Sequence, residues 1–437
     1  MNQLRSKKLT VFLFIVVILI VVAFYSFYQN NFQKNEKKKN YRSILQSKTV
    51  PNGLGISVHF SGNPIDLDMV DDAGFKILRE DLFWHTIEKE PGKYEFKKQG
   101  YDLLTNSLIE KGIRPYYILD YNNELYEYER EVNTKKGQDA FIRYVDAASY
   151  RYKNKGVIWE IWNEPNLTDF WETQPNYKEY SQLVKRASKT IKKNDPSAIV
   201  VAPALAGITP DSLKWLNGIF KEGTLRYIDA LSVHPYRGIN PETVGKDYKS
   251  IRVLMNKYSD KEIPIISGEW GYSNTKGWYG KSISEQQQAD YLVRMYLINL
   301  LYDIPISVVY GWKNDGIDPK NKEHNFGIRR YDVNLPKPAY NAINNMTYRL
   351  SGYTFKNRID VGDPDKYVLR FVSDKKEEII VYWSSNNPET ISFSDNKIKG
   401  PVFSFAGQQI SFLNKKTNKN LYINGSPKYI IIDSNSK

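Results

Sequence analysis

The 437-residue sequence predicts an α/β fold: a closed parallel (β/α)8 barrel, an antiparallel β-sandwich after it, and an N-terminal transmembrane helix before it. Three observations carry this. Eight short apolar runs alternate with amphipathic stretches between residues 54 and 312. From about residue 354 only short alternating runs remain. Near the N-terminus, one apolar run is long enough to cross a bilayer. The expected boundaries are 1–28 for a membrane anchor, 29–50 for a basic polar tether, 51–352 for the barrel and 353–437 for the sandwich.

Residues 9–28 are apolar apart from Thr10, Ser26 and interfacial tyrosines, and Arg5, Lys7 and Lys8 precede them. About 20 such residues span a membrane as a helix. A secretory signal cut after Val21-Val22-Ala23 is the alternative, but the run continues through Phe24, Tyr25 and Phe27. The expectation is an uncleaved single-pass anchor; the alternative is a chain secreted after cleavage. Both flanks are basic, so charge alone does not orient the segment. Residues 29–50 are polar and without apolar period, as a tether would be.

The strand-like runs lie at 54–60, 75–80, 113–121, 157–164, 198–205, 230–236, 263–270 and 306–312, each bounded by turn residues. Helical patterns at 101–110, 139–152, 177–193 and 285–301 lie between them. Eight alternations are the pattern of the TIM barrel. An open doubly wound sheet has fewer strands, and no glycine-rich phosphate turn follows the first strand here. After residue 354, runs such as YVLRFVS, EEIIVYWS and KYIIID are separated by Asn, Gly, Pro and Lys, which suits a sandwich that supports the barrel.

A net charge of +13 suggests nucleic acid until it is located. Residues 1–50 carry nine Lys and Arg against the single acid Glu36, a net +8, which leaves only +5 over the rest. The basic excess therefore flanks the membrane segment, where it meets anionic lipid. No nucleic-acid module is present, so no nucleic-acid partner is expected. The absence of cysteine excludes disulfides, thiolate catalysis and thiolate-bound zinc. With four histidines in the chain, neither a metal nor a cofactor is expected, and the chain is expected to be a monomer.

In such a barrel, catalytic groups sit at the C-terminal ends of strands. Strand four ends in Asn163-Glu164, strand seven in Glu269, strand two in Arg79, Glu80 and Asp81, strand six in His234 and Tyr236, and strand eight in Trp312. Two facing carboxylates are what glycosidic cleavage needs: one protonated to donate to the leaving oxygen, one ionised. A gap of about 5–5.5 Å gives retention, and about 6.5–9.5 Å gives inversion. Arg79 and Tyr236 suit the ionised partner, Glu269, as cation and donor. Asn163 suits a sugar hydroxyl, and Trp312 a flat face under the sugar. His234 is expected to support Tyr236 by hydrogen bonding. His59 is pocket floor or substrate contact, and Trp84 lines the rim or caps a helix.

These residues resemble the clan A glycoside hydrolases. The resemblance rests on Trp159-Glu-Ile-Trp-Asn-Glu-Pro-Asn166 and Ile266-Ser-Gly-Glu-Trp-Gly271. Within the clan the chain is similar to glycoside hydrolase family 39 and its exopolysaccharide-degrading members. That likeness rests on Arg79-Glu-Asp-Leu-Phe-Trp84, Ser232-Val-His-Pro-Tyr236 and Asn325-Phe-Gly-Ile-Arg-Arg-Tyr-Asp332. It covers roughly residues 52–350 and implies retention, with Glu164 as acid/base and Glu269 as nucleophile. The expected substrate is an extracellular or cell-envelope polysaccharide, cut by an endo-acting enzyme on the outer side of the membrane. The alternatives are an exo-acting β-glycosidase of the β-xylosidase kind and a polysaccharide-binding surface protein without catalysis.

Overall fold

The computed structural model describes residues 40–60, 66–275, 278–280, 282–392, 399–413 and 420–432. The expected membrane helix at 9–28 and the first half of the tether, 29–39, lie outside these residues; its second half is not a free tether, since Ile44, Leu45 and Val50 are buried. No helix among the described residues is long and apolar enough to cross a membrane.

Eight parallel strands close a barrel: β1 (Leu54–Ser57), β2 (Ile77–Phe83), β3 (Arg114–Asp120), β4 (Ile158–Ile161), β5 (Ile199–Ala206), β6 (Ala230–His234), β7 (Ile265–Trp270) and β8 (Ser307–Val309). Each pairs with its sequence neighbours, and β1 joins β8 to complete the ring. The β-branched and aromatic runs become strands because they are buried on both sides, by the barrel interior and by the helices outside. The helices Tyr101–Glu110 and Glu285–Leu301 fall where the sequence predicts them. Lys135–Arg151 begins four residues earlier than expected because the Thr134 side chain caps it, accepting from Gly137 N–H.

Alternation along the strands divides the barrel interior into layers. At the N-terminal end Ile77, Tyr116, Ile158, Ile199, Val201, Ala230, Ile266, Ile306 and Val308 form one apolar cluster. Ile44 and Leu45, from the 3-10 turn Tyr41–Gln46, complete that cluster and plug the floor. The polar layers lie above it, toward the C-terminal strand ends.

After the helix Pro338–Leu350 come β9 (Thr354–Arg358), β10 (Lys366–Val372), β11 (Glu378–Ser384), β12 (Glu389–Ser392), β13 (Gly400–Phe403), β14 (Gln409–Leu413), β15 (Asn420–Ile423) and β16 (Lys428–Ile431). Six of them form one antiparallel sheet, ordered β9-β10-β11-β16-β13-β14, and β12 pairs with β15 as a two-stranded ribbon. Leu369, Phe371, Val381 and Trp383 on one face of the sheet join the barrel core. Val368, Ile380, Tyr382 and Ile430 on the other face pack with Ile391, Leu421 and Ile423 of the ribbon. Arg294 holds Glu242 bidentately at 2.6–2.7 Å, and Trp383 Nε1–H donates to the same carboxylate, which ties sheet to barrel.

Candidate active site

Arg79 is the hub of the barrel mouth. It is 3% exposed, and its guanidinium meets three oxygen partners as well as His234 Nε2 at 3.5 Å. Nε donates to Glu160 Oε2 at 2.8 Å, Nη1 to Glu269 Oε2 at 2.5 Å and Nη2 to Asn163 Oδ1 at 2.9 Å. Glu160, fully buried below, also accepts from Tyr116 and Ser232 hydroxyls at 2.8 and 2.5 Å. A buried cation needs a paired, hydrogen-bonded anion beneath it, and this network supplies one.

Glu269 reaches the mouth through a break in the β7 ladder. Ser307 pairs with Ser267 but Val309 pairs with Trp270, so two steps along β8 match three along β7. An extra residue resets the alternation. Gly268 faces inward, where a Cβ would meet Ser232 Oγ at 2.2 Å, and Glu269 faces inward beside it. Both Glu269 oxygens have donors, since Tyr236 O–H reaches Oε1 at 2.7 Å. Burial pushes the Glu269 carboxyl up, but the neighbouring His234, the Arg79 charge and the Tyr236 and Arg79 hydrogen bonds outweigh it. Glu269 is held below the usual carboxylate range.

Glu164 reaches the mouth differently. Trp162 and Glu164 take φ of 68° and 48°, the left-handed region that side chains avoid. This kink past β4 buries Trp162 against Trp171 while turning both Asn163 and Glu164 toward the cavity. Such conformations cost about 1–3 kcal/mol each and cluster at functional sites. His234 Nδ1 and Glu164 Oε1 share a hydrogen bond at 2.8 Å. The His234 ring thus meets Glu164, while its backbone carbonyl accepts from Tyr236 N–H at 2.9 Å, the support for Tyr236 that the sequence suggested. The ring lies inside the barrel, within reach of Glu164, of Arg79 Nη2 at 3.5 Å and of Glu269 Oε1 at 4.0 Å.

One donor atom each of Glu164, His234 and Glu269 lies within 4.8 Å of the others. The near oxygens of Glu164 and Glu269 are thus no more than 4.8 Å apart, close enough for both carboxyls to act on one glycosidic bond. Among the described residues this is the group able to converge on a metal ion. The Arg79 charge already seated on Glu269 opposes a second cation there.

The cavity at the mouth measures about 670 Å³. Arg79, Asn163, Glu164, Tyr236, Glu269 and His59 line it. His59 faces Asp315 Oδ1 through Nδ1 at 3.0 Å, and that hydrogen bond raises its pKa against the opposing effect of burial. Trp312 and Trp84 do not line it. Trp312 is 4% exposed, packed edge-on to Tyr340 with the Arg329 guanidinium over its ring. Trp84 is fully buried, stacked on Tyr126 and Tyr144, with Nε1–H on Glu88. Aromatic faces come instead from Tyr121 and Phe170, stacked at 5.9 Å, and from Tyr279, Tyr310 and Phe326. Tyr121 directly follows β3, the strand whose end went unread in the sequence. Phe170 and Tyr279 lie on connections where no period marks them.

The barrel and its facing glutamates set this chain among the clan A glycoside hydrolases. Residues 45–315 match the cellulase family, glycosyl hydrolase family 5, and the chain belongs to it. A β-xylosidase of Geobacillus stearothermophilus is 24% identical over 191 residues, 38% of this chain and 37% of that one. A β-xylosidase of Caldicellulosiruptor saccharolyticus is 28% identical over 156 residues, 31% of this chain and 32% of that one. The chain thus spans about a third of the length of these relatives. In fold it is similar to a family 39 glycoside hydrolase of the gut symbiont Bacteroides cellulosilyticus WH2. The TM-score is 0.74 at 22% identity, over 89% of this chain and 82% of that one. A family 39 β-xylosidase of Caulobacter crescentus gives 0.66 at 17% identity, over 89% and 97%. The clan expected from the two motifs is thereby established, and the family 39 likeness is one of fold.

Proposed function

We propose that the chain is a retaining glycosidase in which Glu164 is the acid/base and Glu269 the nucleophile. The observation that carries this is the short gap between the two carboxylates, with Glu269 held ionised by Arg79 and Tyr236. In the first step Glu164 gives its proton to the glycosidic oxygen while Glu269 attacks the anomeric carbon, so a glycosyl ester forms as the C–O bond breaks. In the second, ionised Glu164 takes a proton from water as that water attacks the anomeric carbon, so the bond to Glu269 breaks and its carboxylate is freed. Asn163, held by Arg79 and donating to the Tyr121 phenol oxygen at 3.1 Å, is placed to meet a hydroxyl of the reacting sugar.

The substrate we propose is a polysaccharide at or beyond the cell envelope, cut internally, with residues 9–28 anchoring the chain to the membrane. Exo action on β-xylosides is the second reading, favoured by the two β-xylosidases among the relatives. The test is hydrolysis of polymers and aryl β-glycosides by the full chain, with the anomer of the first product read by NMR. Retained configuration, lost in Glu269→Ala and Glu164→Gln, is expected. An inverted product, or equal rates in all three proteins, overturns the mechanism. Mid-sized oligosaccharides as early products support endo action, and monosaccharides alone support exo.

A further inference from the structure

The outer surfaces at the two ends of the barrel differ in charge. At the mouth, Glu80, Asp81, Asp169, Asp315 and Glu323 line the cavity beside Glu164 and Glu269. Around the outside of the floor, the turns leading into β4, β5 and β6 expose Lys153, Lys193 and Arg226, with Lys155 half-buried among them. The acids of these turns are engaged elsewhere. Asp195 is buried and accepts from Asn154 N–H at 2.8 Å and Ser197 N–H at 3.0 Å. Asp229 holds Arg42 at 3.1 Å and Lys192 at 2.5 Å. Lys221 and Glu222 balance each other. Tyr150, 60% exposed, lies under the Lys153 ammonium at 3.8 Å, a pairing of ring and cation that suits a membrane interface. On the rest of the floor the charges pair off, Lys76 with Asp71, Lys111 with Asp68 and Lys48 with Asp303.

The chain enters the barrel at this same basic corner. Arg42 bonds Asp229 before β6 and Pro196 O before β5, and Ile44 and Leu45 are buried in the floor beside it. Just upstream, Lys34, Lys37, Lys38 and Lys39 stand against Glu36 alone. Eleven residues, 29–39, separate the apolar run from Asn40. That length reaches about 18 Å as a coil and at most about 40 Å fully extended. A compact body of this length is roughly 50 Å across. The entry point therefore stays near a bilayer that holds residues 9–28, and the mouth, at the opposite ends of the strands, has too little slack to turn onto it.

We propose that the floor corner formed by Lys153, Lys155, Lys193 and Arg226 rests on anionic phospholipid headgroups and points the barrel mouth away from the membrane. This rests on reading residues 9–28 as the anchor. Each basic residue near such a surface strengthens the contact about fivefold, and the attraction fades within about 8 Å at physiological salt. The acids of the mouth are repelled by the same headgroups. Glu164 and Glu269 then meet polymer that extends beyond the membrane, and a sugar still carried at the bilayer surface is out of their reach.

The chain has no cysteine, so one introduced thiol carries one dye. The test labels the full chain separately at Asn256→Cys, which shares a floor cavity with Arg42, and at Ile317→Cys, 84% exposed on the loop after β8. Each protein is placed in phosphatidylcholine vesicles with and without phosphatidylglycerol, their headgroups carrying an acceptor dye. With phosphatidylglycerol, energy transfer from position 256 is expected to exceed that from 317 severalfold. High salt, or Lys153→Gln, Lys193→Gln and Arg226→Gln together, should return it to the phosphatidylcholine value, with circular dichroism checking that the triple variant is folded. Equal transfer from the two positions, or a floor signal indifferent to phosphatidylglycerol and to the triple variant, overturns the proposal; flotation with both vesicles then leaves the anchor reading standing. Flotation with phosphatidylglycerol vesicles alone overturns the anchor and supports the basic floor as the lipid contact. Flotation with neither overturns both. A floor label that responds to soluble heparin more than to phosphatidylglycerol assigns the corner to a polyanionic glycan and overturns the proposal.

Discussion

The two ends of the barrel interior are built on the same eight strands, a few residues apart, and have opposite chemistry. On β2 the inward face reads Ile77, Arg79, Asp81 from floor to mouth; on β4 it begins Ile158, Glu160. The floor is apolar and closed by Ile44 and Leu45. The mouth holds a buried arginine, a pair of facing glutamates and two residues in left-handed backbone. One end gains stability from burial, and the other retains strained and repelling groups that the floor and outer core must offset. Single substitutions should therefore separate activity from stability according to which end they touch.

The largest effect expected is at Glu269. Glu269→Ala should lower kcat by roughly 10⁴-fold or more with no loss of Tm, measured by steady-state kinetics and calorimetry. A drop in Tm of many degrees would mean that Glu269 is a structural ion-pair partner first. At the floor, Ile158→Ala should cost about 2–5 kcal/mol in denaturant unfolding while kcat of the folded protein is unchanged. A comparable fall in kcat would dissolve the division between the ends.

Tyr236→Phe should have a smaller effect, about tenfold in kcat/KM, because one donor to Glu269 is lost. Its sign is fixed by linkage. Tyr236 and Arg79 depress the Glu269 pKa, so removing the phenol raises it and the acid limb of the pH profile moves to higher pH. An acid limb that stays in place would assign that limb to another group. The smallest effect expected is a gain. Asp81 and Asp120 have folded pKa values raised above their unfolded ones. Their contribution to stability is fully present below the unfolded values and is lost as pH rises through the folded ones, so ionising the pair at higher pH is destabilising. Asp120→Asn should raise Tm by a few degrees at pH 7 and by less near pH 4. A lower Tm at pH 7 would show the pair to be satisfied within the protein.

Sequence alone determined the eight alternations, the change of pattern near residue 354 and the site residues that obey a two-residue period. Arg79 continues the inward phase of Ile77, and His234 and Tyr236 continue that of Ser232, so their place at the mouth follows from local pattern. Trp312 was misread because an aromatic residue at a strand end looks alike whether it faces sugar or core; only the packing of Arg329 and Tyr340 buries it. Tertiary structure also decided how the two glutamates meet. Counted from Ile266, alternation alone turns Glu269 outward, and the extra residue between the β7 and β8 pairings brings it in. Glu164 depends on the left-handed turn at Trp162, and its partner His234 lies 70 residues away in the chain. A motif names such residues, but their separation and charge state come from contacts between strands that are distant in sequence, and those exist only once the barrel closes.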